Sequence, residues 1–215
     1  MQQRDFKLQL VSVELSNFKS FSGHLDSQHK SQLVGPFSDL TGILGPNGVG
    51  KSNIFDAVAF ALNLQLQPGK VRHVRDLAHR PLAHGDEPFA RDSEQSSQEF
   101  FVKLNFLKRT GDKVEKLSIH RGLAKTDGTD DLHNQYIINE NWERPLIYDE
   151  YCKFLAQAYQ MPMQQHFFIY QHHLDEIFGI ASGSKLVSLF DELSGSAEYR
   201  GDYEKLETEI RGHED

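Results

Sequence analysis

The stretch Gly42–Leu62, GILGPNGVGKSNIFDAVAFAL, decides the fold. Gly45, Pro46, Asn47, Gly48, Val49, Gly50, Lys51 and Ser52 fit G-x-x-x-x-G-K-[ST] at every fixed position. Such a loop converges backbone N–H groups on an anion, and the following helix adds its positive end. Gly45, Gly48 and Gly50 let the backbone turn closely around phosphates. Lys51 is expected to reach the β- and γ-phosphates and the Ser52 hydroxyl to ligate Mg²⁺. Upstream, Leu40-Thr-Gly-Ile-Leu44 reads as a short buried strand running into the loop. Downstream, Ile54, Ala57, Val58, Ala61 and Leu62 fall at i, i+3, i+4, i+7 and i+8. Phe55, Ala59 and Phe60 cover much of the opposite side, so the helix is expected to be buried nearly all round.

Further elements follow from periodicity. Residues 6–15, FKLQLVSVEL, alternate as a half-buried strand does. EFFVKLNFLKR and KVEKLSIHR read as strands of a hairpin joined by Thr-Gly-Asp, and QYIIN as another strand. Polar segments at 85–98 and 125–134 read as loops. Residues 146–160 read as a helix with Leu146, Tyr151, Phe154, Leu155 and Ala158 on its apolar side. HFFIYQ, 166–171, reads as a short strand. Leu186, Leu189, Phe190 and Leu193 keep helical spacing, and Tyr199, Tyr203, Leu206 and Ile210 continue it at four, three and four residues. That spacing fits either an amphipathic surface helix or the start of a heptad seam. Arg200–Glu204 and Glu207–Arg211 are i, i+4 charge pairs. The pattern breaks off at the end, the expectation for a piece of a longer chain.

The 215 residues carry a net charge of −8. Residues 1–84 hold nine Lys/Arg against six Asp/Glu, whereas 85–215 hold fourteen against twenty-five. A uniformly basic nucleic-acid binder is excluded, and any DNA contact must use a local patch. Asp56 interrupts the most apolar stretch, which excludes a membrane span there. MQQRDFK lacks the apolar core of a secretory signal, and Cys152 is the single cysteine, so the expectation is intracellular.

Hydrolysis needs more than a cradle: a carboxylate on the metal and charge stabilisation at the transition state. Leu186-Val-Ser-Leu-Phe-Asp-Glu192 imitates an apolar strand ending in a metal-binding Asp-Glu pair, and Leu193-Ser-Gly-Ser196 imitates an LSGG signature. The two abut in reversed order, and helical spacing fits them better. Asp191 and Glu192 are therefore expected to be solvated helix residues. His166, His172 and His173 have no Cys or carboxylate at zinc-ligand spacing.

Taken in order, Asn17-Phe-Lys-Ser-Phe21, GPNGVGKSNIFDAVAFAL and Val74-Arg-Asp-Leu77 resemble the N-terminal half of a structural-maintenance-of-chromosomes (SMC) ATPase head. Val34-Gly-Pro-Phe37 and Leu189-Phe-Asp-Glu-Leu-Ser-Gly-Ser-Ala-Glu-Tyr199 are similar to its cohesin branch, SMC-one. The resemblance runs from about residue 7 to the end, and the polar loops match poorly.

This resemblance implies an α/β P-loop NTPase fold: the N-terminal lobe of an ABC-type head with an antiparallel β-hairpin region, leading into a coiled coil. The lobe would span 1–195 and the coiled-coil start 196–215. Gly45–Ser52 and Asn53 would hold ATP with Mg²⁺, and Lys19 would lie near the nucleotide. Gln171 would be the Q-loop glutamine, contacting Mg²⁺ and sensing the γ-phosphate, although His172 stands where the family has Gly. Lys70 aligns with a phosphate-contacting arginine, with Arg72 two residues on, and lacks the guanidinium fork. The loop 70–80 is the DNA-contact candidate. Implied partners are the C-terminal lobe of the same protein, a second SMC head, a kleisin-type subunit and DNA, in the nucleus on chromosomes. Competing readings are another SMC-like or ABC-class ATPase, in condensin, DNA repair or transport, and a non-hydrolysing interaction fragment.

If the Leu-Phe-Asp-Glu stretch is no metal site, Asp191→Asn with Glu192→Gln leaves Mg²⁺-dependent nucleotide affinity unchanged by calorimetry. A large loss would make it one.

Overall fold

The computed structural model describes residues 6–23, 31–64, 66, 71, 73–79, 99–125, 131–158, 187, 191 and 196–214. The chain divides into two compact units, residues 4–164 and residues 165–215 with 1–3.

Within the larger unit, strands β1 (Lys7–Ser16), β2 (Gln32–Val34), β3 (Phe100–Thr110), β4 (Lys113–Lys125) and β5 (Leu132–Ile138) form one antiparallel sheet in the order β2-β1-β3-β4-β5. The expected hairpin is β3–β4, closed at Thr110↔Lys113. Its strands outrun the sequence reading, with β4 reaching Lys125 and β5 starting at Leu132, which shortens the second polar loop. Alternation on β3 puts Phe100, Val102, Leu104 and Phe106 on the buried face. On β1 the alternation changes phase. The register with β3 shifts between Leu10 and Ser12, so Leu8 and Leu10 pack toward the core before Val11, and Val13 and Leu15 after it. One extra residue opposite a regular strand produces this change of parity.

The P-loop helix, α1 (Lys51–Ala61), packs on β3 and β4 and buries Ile54, Ala57, Ala59, Phe60 and Ala61. Phe55 is half exposed, so the helix is buried on most of its circumference rather than all round. Phe18, Phe60 and Phe100 meet with ring centroids 5.5–6.1 Å apart, joining the Asn17–Phe21 turn, α1 and β3. The carbonyls ending α1 have no partners within the helix. Arg121 on β4 donates through Nη1 to Phe60 O at 2.5 Å and to Asn63 Oδ1 at 3.1 Å. Its guanidinium also lies 4.3 Å from the Phe60 ring centroid. The Tyr151 hydroxyl donates to Ala61 O. Tyr151 belongs to α2 (Tyr148–Ala158), which buries Tyr151 and Leu155 as the spacing implied.

The expected buried strand at Leu40–Leu44 is not there. The segment is irregular and solvent-exposed, Leu40 at 92% and Leu44 at 95%. A strand needs a neighbour for its N–H and C=O groups, and none of the five strands runs beside this one.

In the smaller unit, α3 (Arg200–Glu214) carries Tyr203, Leu206 and Ile210 on its surface, preceded by exposed Tyr199. The Glu207–Arg211 pair forms at 2.7 Å. Arg200 instead pairs with Asp191 at 2.9 Å, and the Ser196 hydroxyl donates to the same carboxylate at 3.0 Å. The carboxylate of Asp191 is thus held locally by a cation and a hydroxyl, whereas it was expected to be merely solvated. The expected strand 166–171, Ala158's surroundings, Glu192 and the histidines at 166, 172 and 173 lie outside the described residues. No helix among the described residues is long and apolar enough to cross a membrane.

The sheet face away from α1 buries His120. Both of its ring nitrogens lack a hydrogen-bond partner among the described residues. It packs edge-on to Trp142 at 5.0 Å and beside Phe101, with Lys103, Glu14 and Glu140 as its charged neighbours. Lys103 is itself bridged to Glu140 at 2.6 Å and Glu14 at 3.4 Å. Burial, reinforced by the Lys103 charge, pushes His120 down from 6.5 to about 4. Between those values the unfolded chain binds the proton and the folded chain does not, so acid favours unfolding. Urea titrations should show a loss of about 2 kcal/mol from pH 7 to pH 5. His120→Phe should remove most of that slope, and an unchanged slope would show that His120 is not its source.

Candidate nucleotide site

The loop from Gly45 to Gly50 is exposed and leads directly into α1. Gly48 and Gly50 take left-handed backbone, at φ 83° and 99°. Gly50 is the N-cap of α1, and a Cβ there would collide with Ser20 Oγ. Two demands thus meet at Gly50: the turn itself and the approach of a neighbouring segment. The helix has no side-chain cap and no acidic residue in its first turn. Its first N–H groups and positive end are left for an external anion.

Lys51 Nζ donates to the carbonyls of Gly45 and Pro46, both at 2.6 Å. The ammonium therefore lies across the loop mouth, bound to the loop's own backbone. Ser52, in the first turn, is exposed. Val49 also points outward, so only its backbone serves the loop. Pro46 and Asn47 are exposed with it. These donors suit a nucleoside triphosphate with Mg²⁺: backbone N–H groups and an ammonium for phosphate oxygens, and a hydroxyl for a hard cation.

The turn Asn17–Phe21 supports the loop from the side. Asn17 and Lys19 have left-handed backbone, at φ 52° and 47°, unusual for residues with a Cβ. Lys19 N donates to Leu77 O at 2.8 Å, and His79 N donates to Asn17 O at 2.7 Å. The Asn17 amide donates to Glu99 O at 2.6 Å. Ser20 Oγ accepts from Asn53 Nδ2 at 2.9 Å, and Lys19 Nζ reaches Asp56 Oδ2 at 2.6 Å. Asn53, expected in the nucleotide motif, here ties α1 to this turn.

Sequence reasoning missed Asp56, which it used only to break an apolar run. The signal was available: in Ile54–Ala61 a single carboxylate stands among Ile, Phe, Ala and Val, and a buried carboxylate there needs a cation. Lys70, Arg72 and Gln171 lie outside the described residues. Among the described residues no three His, Cys, Asp or Glu side chains gather as a metal site.

Comparison with known proteins fits this geometry. An AAA domain model matches residues 12–214. The chain belongs to the AAA-domain family. It is similar to structural maintenance of chromosomes protein 1 of Arabidopsis thaliana, 32% identical over 198 residues, 92% of this chain and 14% of that protein. The protein of the same name from Schizosaccharomyces pombe is 30% identical over 202 residues, 93% of this chain and 15% of that one. The chromosome partition protein Smc of Mesomycoplasma hyorhinis is 27% identical over 207 residues, 94% of this chain and 18% of that protein. These matches bear out the SMC resemblance and the P-loop ATPase fold class read from the sequence. The chain spans about one seventh of the length of the first two relatives.

Removing the Lys51 ammonium deletes charge-assisted bonds to phosphate, while removing the Ser52 hydroxyl deletes one metal contact. Calorimetry with Mg²⁺–ATP should show Lys51→Ala weakening binding by about tenfold to a hundredfold. Ser52→Ala should weaken it less and blunt its Mg²⁺ dependence. Equal affinity in wild type and Lys51→Ala would refute the site.

Proposed function

We propose that the chain is the ATP-binding half of a cohesin-type SMC ATPase head, acting in sister chromatid cohesion and chromosome segregation. The observation that carries this reading is the exposed glycine loop at the uncapped N-terminus of α1, with Lys51 across its mouth and the Asn17–Phe21 turn bracing it. Gly45–Ser52 would hold the triphosphate, and Ser52 with Gln171 the Mg²⁺. Bound Mg²⁺ would supply electrophilic stabilisation of charge on the phosphoryl group. The chain's own part is to fix the phosphates, through loop N–H groups and Lys51, and to hold the loop still through Asn53 and Ser20.

Leu40, Leu44, Val49 and Phe55 are large apolar side chains exposed around the loop. They support docking of a C-terminal lobe of the same polypeptide, which would pair with the exposed 40–44 segment. Exposed Tyr199, Tyr203, Leu206 and Ile210 support a coiled-coil arm beginning in 196–215, after a lobe spanning 1–195. A second head would close over the nucleotide, a kleisin-type subunit would join the complete head, and DNA would meet the basic loop 70–80. Lys70 and Arg72 would contribute positive charge near the phosphates, and Lys19 would lie near the nucleotide. The setting would be the nucleus, on chromosomes.

Phosphoryl transfer depends on positioning and charge stabilisation, so an open cradle should bind ATP without turning it over. The isolated chain should show negligible ATPase activity, and adding the C-terminal lobe and a partner head should restore it. Gln171→Leu should then lower turnover more than binding. Hydrolysis by the 215-residue chain alone, abolished by Lys51→Ala, would overturn the half-head reading.

A further inference from the structure

Asp56 stands four residues after Ser52 and three after Asn53, on the helix whose positive end faces the phosphates. It is 3% exposed, a full negative charge buried in the element that is to attract an anion. Left alone, that carboxylate would oppose a triphosphate through low-dielectric protein, where Coulomb forces are weakly screened. Lys19 Nζ lies 2.6 Å from it, and both side chains are largely buried.

The backbone behind that ammonium is over-determined. Lys19 has left-handed backbone, its N–H is held by Leu77 O, and its carbonyl meets His79 Nδ1 at 2.5 Å. Asn17, also left-handed, is fixed at both its amide side chain and its carbonyl. Backbone held in sparsely populated conformations persists only where its surroundings impose it, and such strain gathers at functional sites. From this fixed backbone the Lys19 ammonium meets Asp56.

We propose that Lys19 is a positioning residue that acts through Asp56, as the counter-ion keeping the P-loop helix receptive to phosphate, and is not a nucleotide ligand. The inference rests on the nucleotide-binding reading and assigns a role within that same site. Because the γ-phosphate adds charge, loss of the counter-ion should penalise ATP more than ADP. A pair that only fastened the turn to the helix would make no such distinction.

The test is calorimetry of the full chain with Mg²⁺–ATP and Mg²⁺–ADP, for Lys19→Met, Asp56→Asn and the double variant. Lys19→Met should weaken ATP by about tenfold, the order of effect of one uncompensated charge acting through protein, and ADP by less. Asp56→Asn should bind ATP at least as well as wild type, and Lys19→Arg should restore affinity. If Lys19→Met does not fold, the comparison of wild type with the double variant decides, since neither buries an uncompensated charge at this pair. Equal ATP affinity in those two is the expected result, with Asp56→Asn at least as tight. A double variant much weaker than wild type would make Lys19 a direct ligand and overturn the proposal. Equal losses for ATP and ADP in Lys19→Met would reduce the pair to a fastening and also overturn it. Absence of Lys51-sensitive binding in wild type would instead reject the nucleotide site itself.

Discussion

A helix that offers its first turn to an external anion cannot also close that turn itself. The constraint on α1 is therefore asymmetric: everything that fixes it must come from its flanks and its far end. Arg121 and Tyr151 supply the far end, donating to the Phe60 and Ala61 carbonyls from β4 and α2. Negative partial charge collects at those carbonyls, so a guanidinium suits the position. Phe18 and Phe100 pack against Phe60, and Ser20 and Lys19 hold Asn53 and Asp56. The sheet, the second helix and the aromatic cluster all converge on keeping one helix end exposed.

The fastenings come from widely separated parts of the sequence. Asn17–Phe21, 73–79 and β4 meet around α1. The 17–21 turn and the 77–79 segment share backbone hydrogen bonds, with Phe18 also bridging Ala78. The segment after α1 is thereby tied to the turn that braces the glycine loop.

What could be read in advance depended on how local the determining chemistry was. The glycine loop, the β3–β4 hairpin and the buried side of α2 are set by spacing within a few residues, and each was legible. Even the change of phase on β1 is written in the sequence, as the adjacent pair Leu10-Val11 inside an alternating run. The Leu40–Leu44 strand was misread because apolarity signals a wish for burial without saying where the covering surface lies. Arg200 pairs with Asp191 rather than its helical neighbour Glu204 because the 3₁₀ turn Ser196–Tyr199 brings Asp191 close. The Lys19–Asp56 pair spans 37 residues, a contact that periodicity has no means of revealing.

The bulge at Val11 has a consequence for how the sheet comes apart. Its carbonyl accepts the Phe37 amide at 2.7 Å, a bond that leaves the β1–β3 ladder for the segment after β2. The ladder is thus two short zippers, Lys7–Leu10 and Ser12–Ser16, meeting at a stop that is anchored elsewhere. Fraying from the chain's start would run through Lys7–Leu10 and halt there, because opening further must also break the Phe37 bond and expose Val13 and Leu15. Amide exchange along β1 should rise as a step at residue 11 instead of a gradient, with the slow side being the half that abuts the Asn17–Phe21 turn.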